Sequence, residues 1–293
     1  MFSLIWNNDR LVSMKLTLLG LCLGFLVFQA NSQTIGTEKS ERPLYEVGVG
    51  AAALSLPDYP GSDRSRLRTI ALPYSIYRGR FLRADEDGGL RGRFFDHERW
   101  DLDFSAGAGF PASSRENRAR EDMPDLDWIG RLGPRLRYRF LKREVRDQFR
   151  FDLPLQAVFS TDFTRVDGRG FVALPSLQYI YHGLLTGRLR LVATTRAVLS
   201  ARPLMDYFYT VQTRYANESR PAYSAREGLI EFRHTIGAVW TISPQYILAA
   251  SFGLNDLSMA RNKESPLLRT ETTTVVAVGL IWRIFASSDK AYR

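Results

Sequence analysis

The stretch from Trp128 to Phe140 constrains the fold more than any other. Its even positions hold Trp128, Leu132, Leu136, Tyr138 and Phe140, with Gly130 and Pro134, and its odd positions hold Arg131, Arg135, Arg137 and Arg139. A strand sends alternate side chains to opposite faces, so this segment predicts an apolar face with an aromatic at each end and a second face that is a ladder of guanidiniums. Two settings suit such a strand. In a soluble sandwich the apolar face meets a core and the charged face water. In an outer-membrane barrel the apolar face meets lipid and the arginines a wet lumen.

The alternation recurs. Strands are expected at 44–53, 67–77, 80–85, 90–95, 100–110, 149–159, 171–181, 188–198, 229–242, 245–255 and 272–284. With 128–140 that makes about twelve, most near the roughly 9–11 residues that cross a membrane obliquely. Brief turns such as Arg78-Gly79, Asp96-His97 and Ser243-Pro244 alternate with the longer loops 55–66, 111–127, 161–170, 201–227 and 256–270. Short turns on one rim and long loops on the other mark a transmembrane barrel, and an even strand count returns both ends of the chain to the short-turn side. A sandwich or propeller predicts faces rich in Val and Ile, without aromatics at strand ends. Here Trp100 and Phe110, Trp128 and Phe140, Phe149 and Phe159, and Phe171 and Tyr181 bracket their apolar faces. The expected fold is therefore all-β: a transmembrane antiparallel up-and-down β-barrel over 44–285, followed by a polar tail at 286–293. In its last strand, Phe285 falls one step out of phase with Val276, Val278, Leu280, Trp282 and Ile284.

The mean hydropathy of −0.20 argues against a bundle of membrane helices. A barrel puts only half of each strand into lipid, so it is compatible with that value. The formal charge of +9 invites an acidic partner. Nucleic acid is disfavoured, because the arginines are scattered singly and form no basic helix or lysine-rich run.

Leu16 to Ala30 is an apolar run with the length of a signal-peptide core, shorter than the ~20 residues of a spanning helix. We read 1–32 as a cleavable signal peptide, with cleavage near Ala30-Asn31-Ser32 and Met14-Lys15 as an alternative start, and 33–43 as a periplasmic lead. The single cysteine, Cys22, lies inside that run. The exported chain is then expected to have neither disulfides nor cysteine-ligated metal.

Parity aims Arg131, Arg135, Arg137, Arg139, Arg150, Arg188, Arg190, Arg196 and Arg233 into the lumen, together with Asp101, Asp103, Asp152 and Glu231. They could line a narrow pathway for small anions. Alternatively they cross the interior as arginine–carboxylate pairs and fill it. The filled interior with an excess of positive charge is favoured, since Asp101 and Asp103 lie within cross-strand reach of the arginine ladder. The three histidines, His97, His182 and His234, lack paired metal-ligand spacing, and no Gly-x-Ser-x-Gly elbow is present. No catalytic residue, metal or cofactor is expected.

The segment Leu56-Pro57-Asp58-Tyr59-Pro60-Gly61-Ser62, followed by Leu72-Pro73-Tyr74, resembles the start of the MipA/OmpV family of outer-membrane proteins. Tyr207-Phe208-Tyr209-Thr210-Val211 and Arg220-Pro221-Ala222-Tyr223 look like two further blocks of that family, in the same order. The resemblance implies a barrel in contact with outer-membrane lipid. For part of the family it implies a scaffold that bridges a lytic transglycosylase and a peptidoglycan synthase. Other members are described as porin-like or as adhesive antigens, and the aromatic loop 201–227 would then be the adhesive surface. The family supplies no catalytic residues.

Overall fold

The computed structural model describes residues 43–78, 82–85, 89–92, 95–96, 99–141 and 147–289. The expected signal peptide, all but the last residue of the lead, and residues 290–293 of the tail lie outside these.

Fourteen strands form one sheet. They are β1 (Tyr45–Pro57), β2 (Ser65–Arg78), β3 (Leu82–Asp85), β4 (Gly89–Gly92), β5 (Phe95–Asp96), β6 (Trp100–Gly109), β7 (Trp128–Arg139), β8 (Gln148–Thr161), β9 (Val166–Ala173), β10 (Ser176–Leu184), β11 (Leu189–Ser200), β12 (Gly228–Thr241), β13 (Tyr246–Asp256) and β14 (Thr272–Ala286). Every pairing is antiparallel, and the first strand meets the last, with Val49 opposite Trp282. β9 and β10 both pair with β8 and with β11, so they are one pass of the chain interrupted at Leu174-Pro175. β4 pairs with β3 and β5 with β6, and these two short strands stand at the two ends of the strand order. With β9 and β10 counted as one pass, thirteen strands stand in the order among the described residues, near the twelve expected, and β3, β4 and β5 are each four residues or fewer.

The outward face is apolar and the inward face polar. Leu132 is 54% exposed, whereas Arg135 and Arg137 on the same strand are each 1% exposed. Aromatics collect at the two rims. Trp100 lies 4.6 Å from Tyr138, and Phe140 lies 4.7 Å from Phe149, near the short turns. Phe110 and Trp128 pair at 5.4 Å near the long loops. Such belts sit at the membrane–water interfaces.

Two expectations are corrected and one is explained. The loop expected at 161–170 is mostly strand, because β9 pairs with β8 from Val166 despite its glycines. The long connection 201–227 opens with a helix, α1 (Arg202–Tyr209), with Pro203 in the first turn, where a missing N–H costs nothing. The phase of Phe285 is set by a bulge: Val47 faces Phe285 but Gly48 faces Arg283. The extra residue lets the Phe285 ring stack on Tyr45 at 5.6 Å.

Candidate functional site

The interior is built in layers. Lowest, toward the short turns, the arginine ladder of β7 meets carboxylates on the strands beside it. Arg135 faces Asp103 across the β6–β7 ladder and donates to both its oxygens, at 2.8 and 2.7 Å. Arg137 faces Asp152 across β7–β8 and does the same at 2.8 and 3.2 Å. Arg139 reaches diagonally to Asp101, and Arg150 lies 3.8 Å from the second oxygen of Asp152. Two parallel N–H bonds match the fork of a guanidinium to a carboxylate, which makes these the strongest side-chain contacts in the barrel. Arg190 is buried on β11. Arg188 does not point inward; β11 begins at Leu189, which leaves Arg188 exposed in the preceding turn.

Above this layer the balance changes. Arg196 on β11 stands directly opposite Arg233 on β12. Arg131, from β7 across the lumen, lies within electrostatic range of both and of Glu231. Glu231 is fully buried; one of its oxygens accepts from Arg233 Nε and the other, Oε2, has no partner.

The third layer is a cap that fills the long-loop mouth. Leu204, Met205, Phe208 and Tyr209 of α1 pack with Tyr59, Ala112, Leu126, Val158, Val172 and Ile230. The family-like blocks converge here. Asp58 accepts from Arg66 Nε at 2.7 Å and from Asn117 Nδ2 at 3.0 Å. Tyr59 donates to the Leu267 carbonyl at 2.7 Å, and Tyr209 to that of Pro60 at 3.1 Å. Arg220 donates to the carbonyls of Ala119, Glu121 and Tyr215, pinning loop 111–127 to loop 201–227, while Pro221 precedes the strap that carries Tyr223 to Asn262 Oδ1 at 3.1 Å. The backbone N–H of Asp127 donates to the Tyr207 hydroxyl at 2.6 Å, and Arg169 lies 4.0 Å over the Tyr207 ring. Burial raises the hydroxyl pKa of Tyr59, Tyr207 and Tyr209 and lowers that of the Arg120 guanidinium, which donates to the Phe208 carbonyl at 3.1 Å.

Gly61 makes the first of these blocks possible. Its φ is +81°, and a Cβ there would come within 2.7 Å of Leu268 Cγ. Changing Gly61 to Ala should therefore cost about 1–2 kcal/mol from the left-handed backbone alone. The check is the temperature at which the folded band is lost in heat-modifiability gels; an unchanged value would refute it.

The outward wall carries a hollow of about 410 Å³ where Ala193 and Thr195 lie between Phe149, Leu177, Ile236 and Phe252. On its floor Thr195 Oγ1 and His234 Nδ1 are 3.2 Å apart, and no carboxylate is among the lining residues, so the base lacks an orienting partner there. Among the described residues no group of three or more His, Cys, Asp or Glu is placed to hold a metal.

The family model described as MltA-interacting protein MipA matches residues 49–284. No curated protein matches the chain. Among solved structures the chain is similar to a bacterial polysaccharide outer membrane secretin, at 9% identity and a TM-score of 0.41, covering 83% of this chain and 99% of that one. It is also similar to outer membrane phospholipase A from Escherichia coli, at 11% and 0.33 over 82% and 93%. A Pseudomonas aeruginosa FadL homologue stands at 8% and 0.34 over 84% and 91%.

Proposed function

The chain belongs to the MltA-interacting protein MipA family, and from that membership we propose that it is a non-enzymatic outer-membrane barrel that holds a lytic transglycosylase and a peptidoglycan synthase at the membrane. The observation that carries this reading is the family match, which spans the wall from β1 to β14 and all the loops of the cap. The cap cluster and the Asp103–Arg135 and Arg137–Asp152 pairs support it, since a solute path would have to pass both. The buried positions of Phe208 and Tyr209 weigh against a displayed aromatic adhesive loop. What remains for a protein partner in the periplasm is the short-turn rim.

A photo-crosslinking residue at exposed Gln245, in the turn between β12 and β13, is expected to capture a murein enzyme in cells. The same residue at exposed Ser219, in the cap, is expected not to. Capture of no murein enzyme from Gln245 or from any other short-turn position would overturn the scaffold reading.

A further inference from the structure

We propose that Arg131, Arg196 and Arg233, in the layer beneath the cap, bind a small oxyanion of the phosphate or sulfate type. The first observation is a contrast in pairing. In the layer below, the guanidiniums of Arg135, Arg137 and Arg139 reach carboxylates. Arg131 and Arg196 make no hydrogen bond or ion pair with any described residue, and Arg196 Nε is enclosed without a partner. Like charges set directly opposite one another across a ladder are destabilising, and the penalty grows when solvent is excluded. Yet Arg196 and Arg233 stand in that relation, with Arg131 of β7 within electrostatic range of both.

The surroundings fit a ligand. Gly107 on β6 faces Arg131 on β7, and a Cβ there would lie 2.6 Å from Arg131 Nη2. The absence of a side chain at Gly107 is thus what lets the Arg131 guanidinium lie across the strand into the lumen. Among the described residues Glu231 is the one carboxylate that bonds to any of the three guanidiniums, and Asp152, within range of Arg196, is already held by Arg137, so the group keeps an excess of positive charge that an anion can neutralise. Glu231 holds Arg233 by Nε, leaving the outer nitrogens of Arg233 to turn to a ligand. Guanidiniums present paired donors that match the oxygens of phosphate and sulfate better than a spherical halide. The site lies inside the wall, out of reach of lipid headgroups. It rests on the barrel's geometry and is independent of the murein partner.

The test uses the full exported chain refolded in phosphate-free and sulfate-free micelles, with thermal unfolding and titration calorimetry in inorganic phosphate, inorganic sulfate and chloride at matched ionic strength. The wild type should bind phosphate and unfold at a higher temperature in phosphate or sulfate than in chloride. The Arg131→Gln, Arg196→Gln double variant should lose at least about tenfold in phosphate affinity, the cost of losing charged hydrogen bonds. In chloride it should unfold no earlier than the wild type, because no protein partner is left behind. Equal wild-type stability in phosphate and chloride overturns the site, and so does a double variant that keeps the full phosphate response. If the double variant does not fold, the wild-type comparison and Arg131→Gln alone decide the matter. Crosslinking from the short-turn rim reports separately on the scaffold, so either idea can fail without the other.

Discussion

Changing Asp152 to Ala should destabilise the folded barrel by about 3–5 kcal/mol, the usual cost of removing one partner from a buried ion pair. Asp152 answers Arg137 through two hydrogen bonds and lies 3.8 Å from Arg150. Without it, the buried guanidiniums of Arg137 and Arg150, diagonal neighbours across the β7–β8 ladder, lose the carboxylate they share. Urea unfolding in vesicles, followed by tryptophan fluorescence, measures the loss. The informative companion is the Asp103→Leu, Arg135→Met double variant, which removes both members of one bidentate pair together. That variant should lie near wild-type stability, because well-packed apolar replacements often match a buried pair. A wild-type midpoint for Asp152→Ala would mean that the interior is wet enough to solvate its arginines, and the filled-lumen reading would fall with it.

The second large effect belongs to the cap. Tyr209 is 1% exposed, with its ring among Tyr59, Phe208 and Ile230 and its hydroxyl on the Pro60 carbonyl. Tyr209→Ala should cost about 3–5 kcal/mol as a large aromatic lost from a packed cluster. Tyr209→Phe removes only the hydrogen bond and should cost about 0.5–1.5 kcal/mol. The distinguishing readout is protease attack on intact cells: loops 111–127 and 201–227 should become cleavable in Tyr209→Ala and stay protected in Tyr209→Phe. Equal protection in both would mean that the loops are held from elsewhere.

The wall was legible because a two-residue period survives any exchange of partners. Trp128, Leu132, Leu136 and Tyr138 had to share a face whichever strand lay beside them. Asp103 and Arg135 could be placed within reach of one another because their strands follow one another in the chain, although the long loop 111–127 between them leaves the register open. What the sequence concealed depends on tertiary contact. Asp167-Gly168-Arg169-Gly170 has poor strand propensity and becomes β9 because β8 offers a free ladder. The apolar positions of α1, Leu204, Met205, Phe208 and Tyr209, follow a helical period, but over eight residues such a pattern cannot be told from an aromatic loop. The meeting of Tyr59, Tyr209, Arg220 and Tyr223 joins segments far apart in the chain, and no local pattern carries that information. Arg188 was misread at a strand end, where a shift of one residue exchanges lumen for solvent.

The layering of the interior also bears on how the barrel comes to be shut. The Asp103–Arg135 and Arg137–Asp152 pairs sit on strands that follow one another, 32 and 15 positions apart, so each forms when its own hairpin zips. Arg131 is different. It meets Arg196 and Arg233 only when the sheet has curled far enough to bring β7 across from β11 and β12, near the moment when Glu46 and Arg283, 237 positions apart, join the first strand to the last. Attraction therefore accompanies the early steps and repulsion is deferred to the final one. Ring closure is thus expected to be the step of assembly whose rate answers to the ions in the surrounding medium, which refolding in phosphate against chloride would reveal.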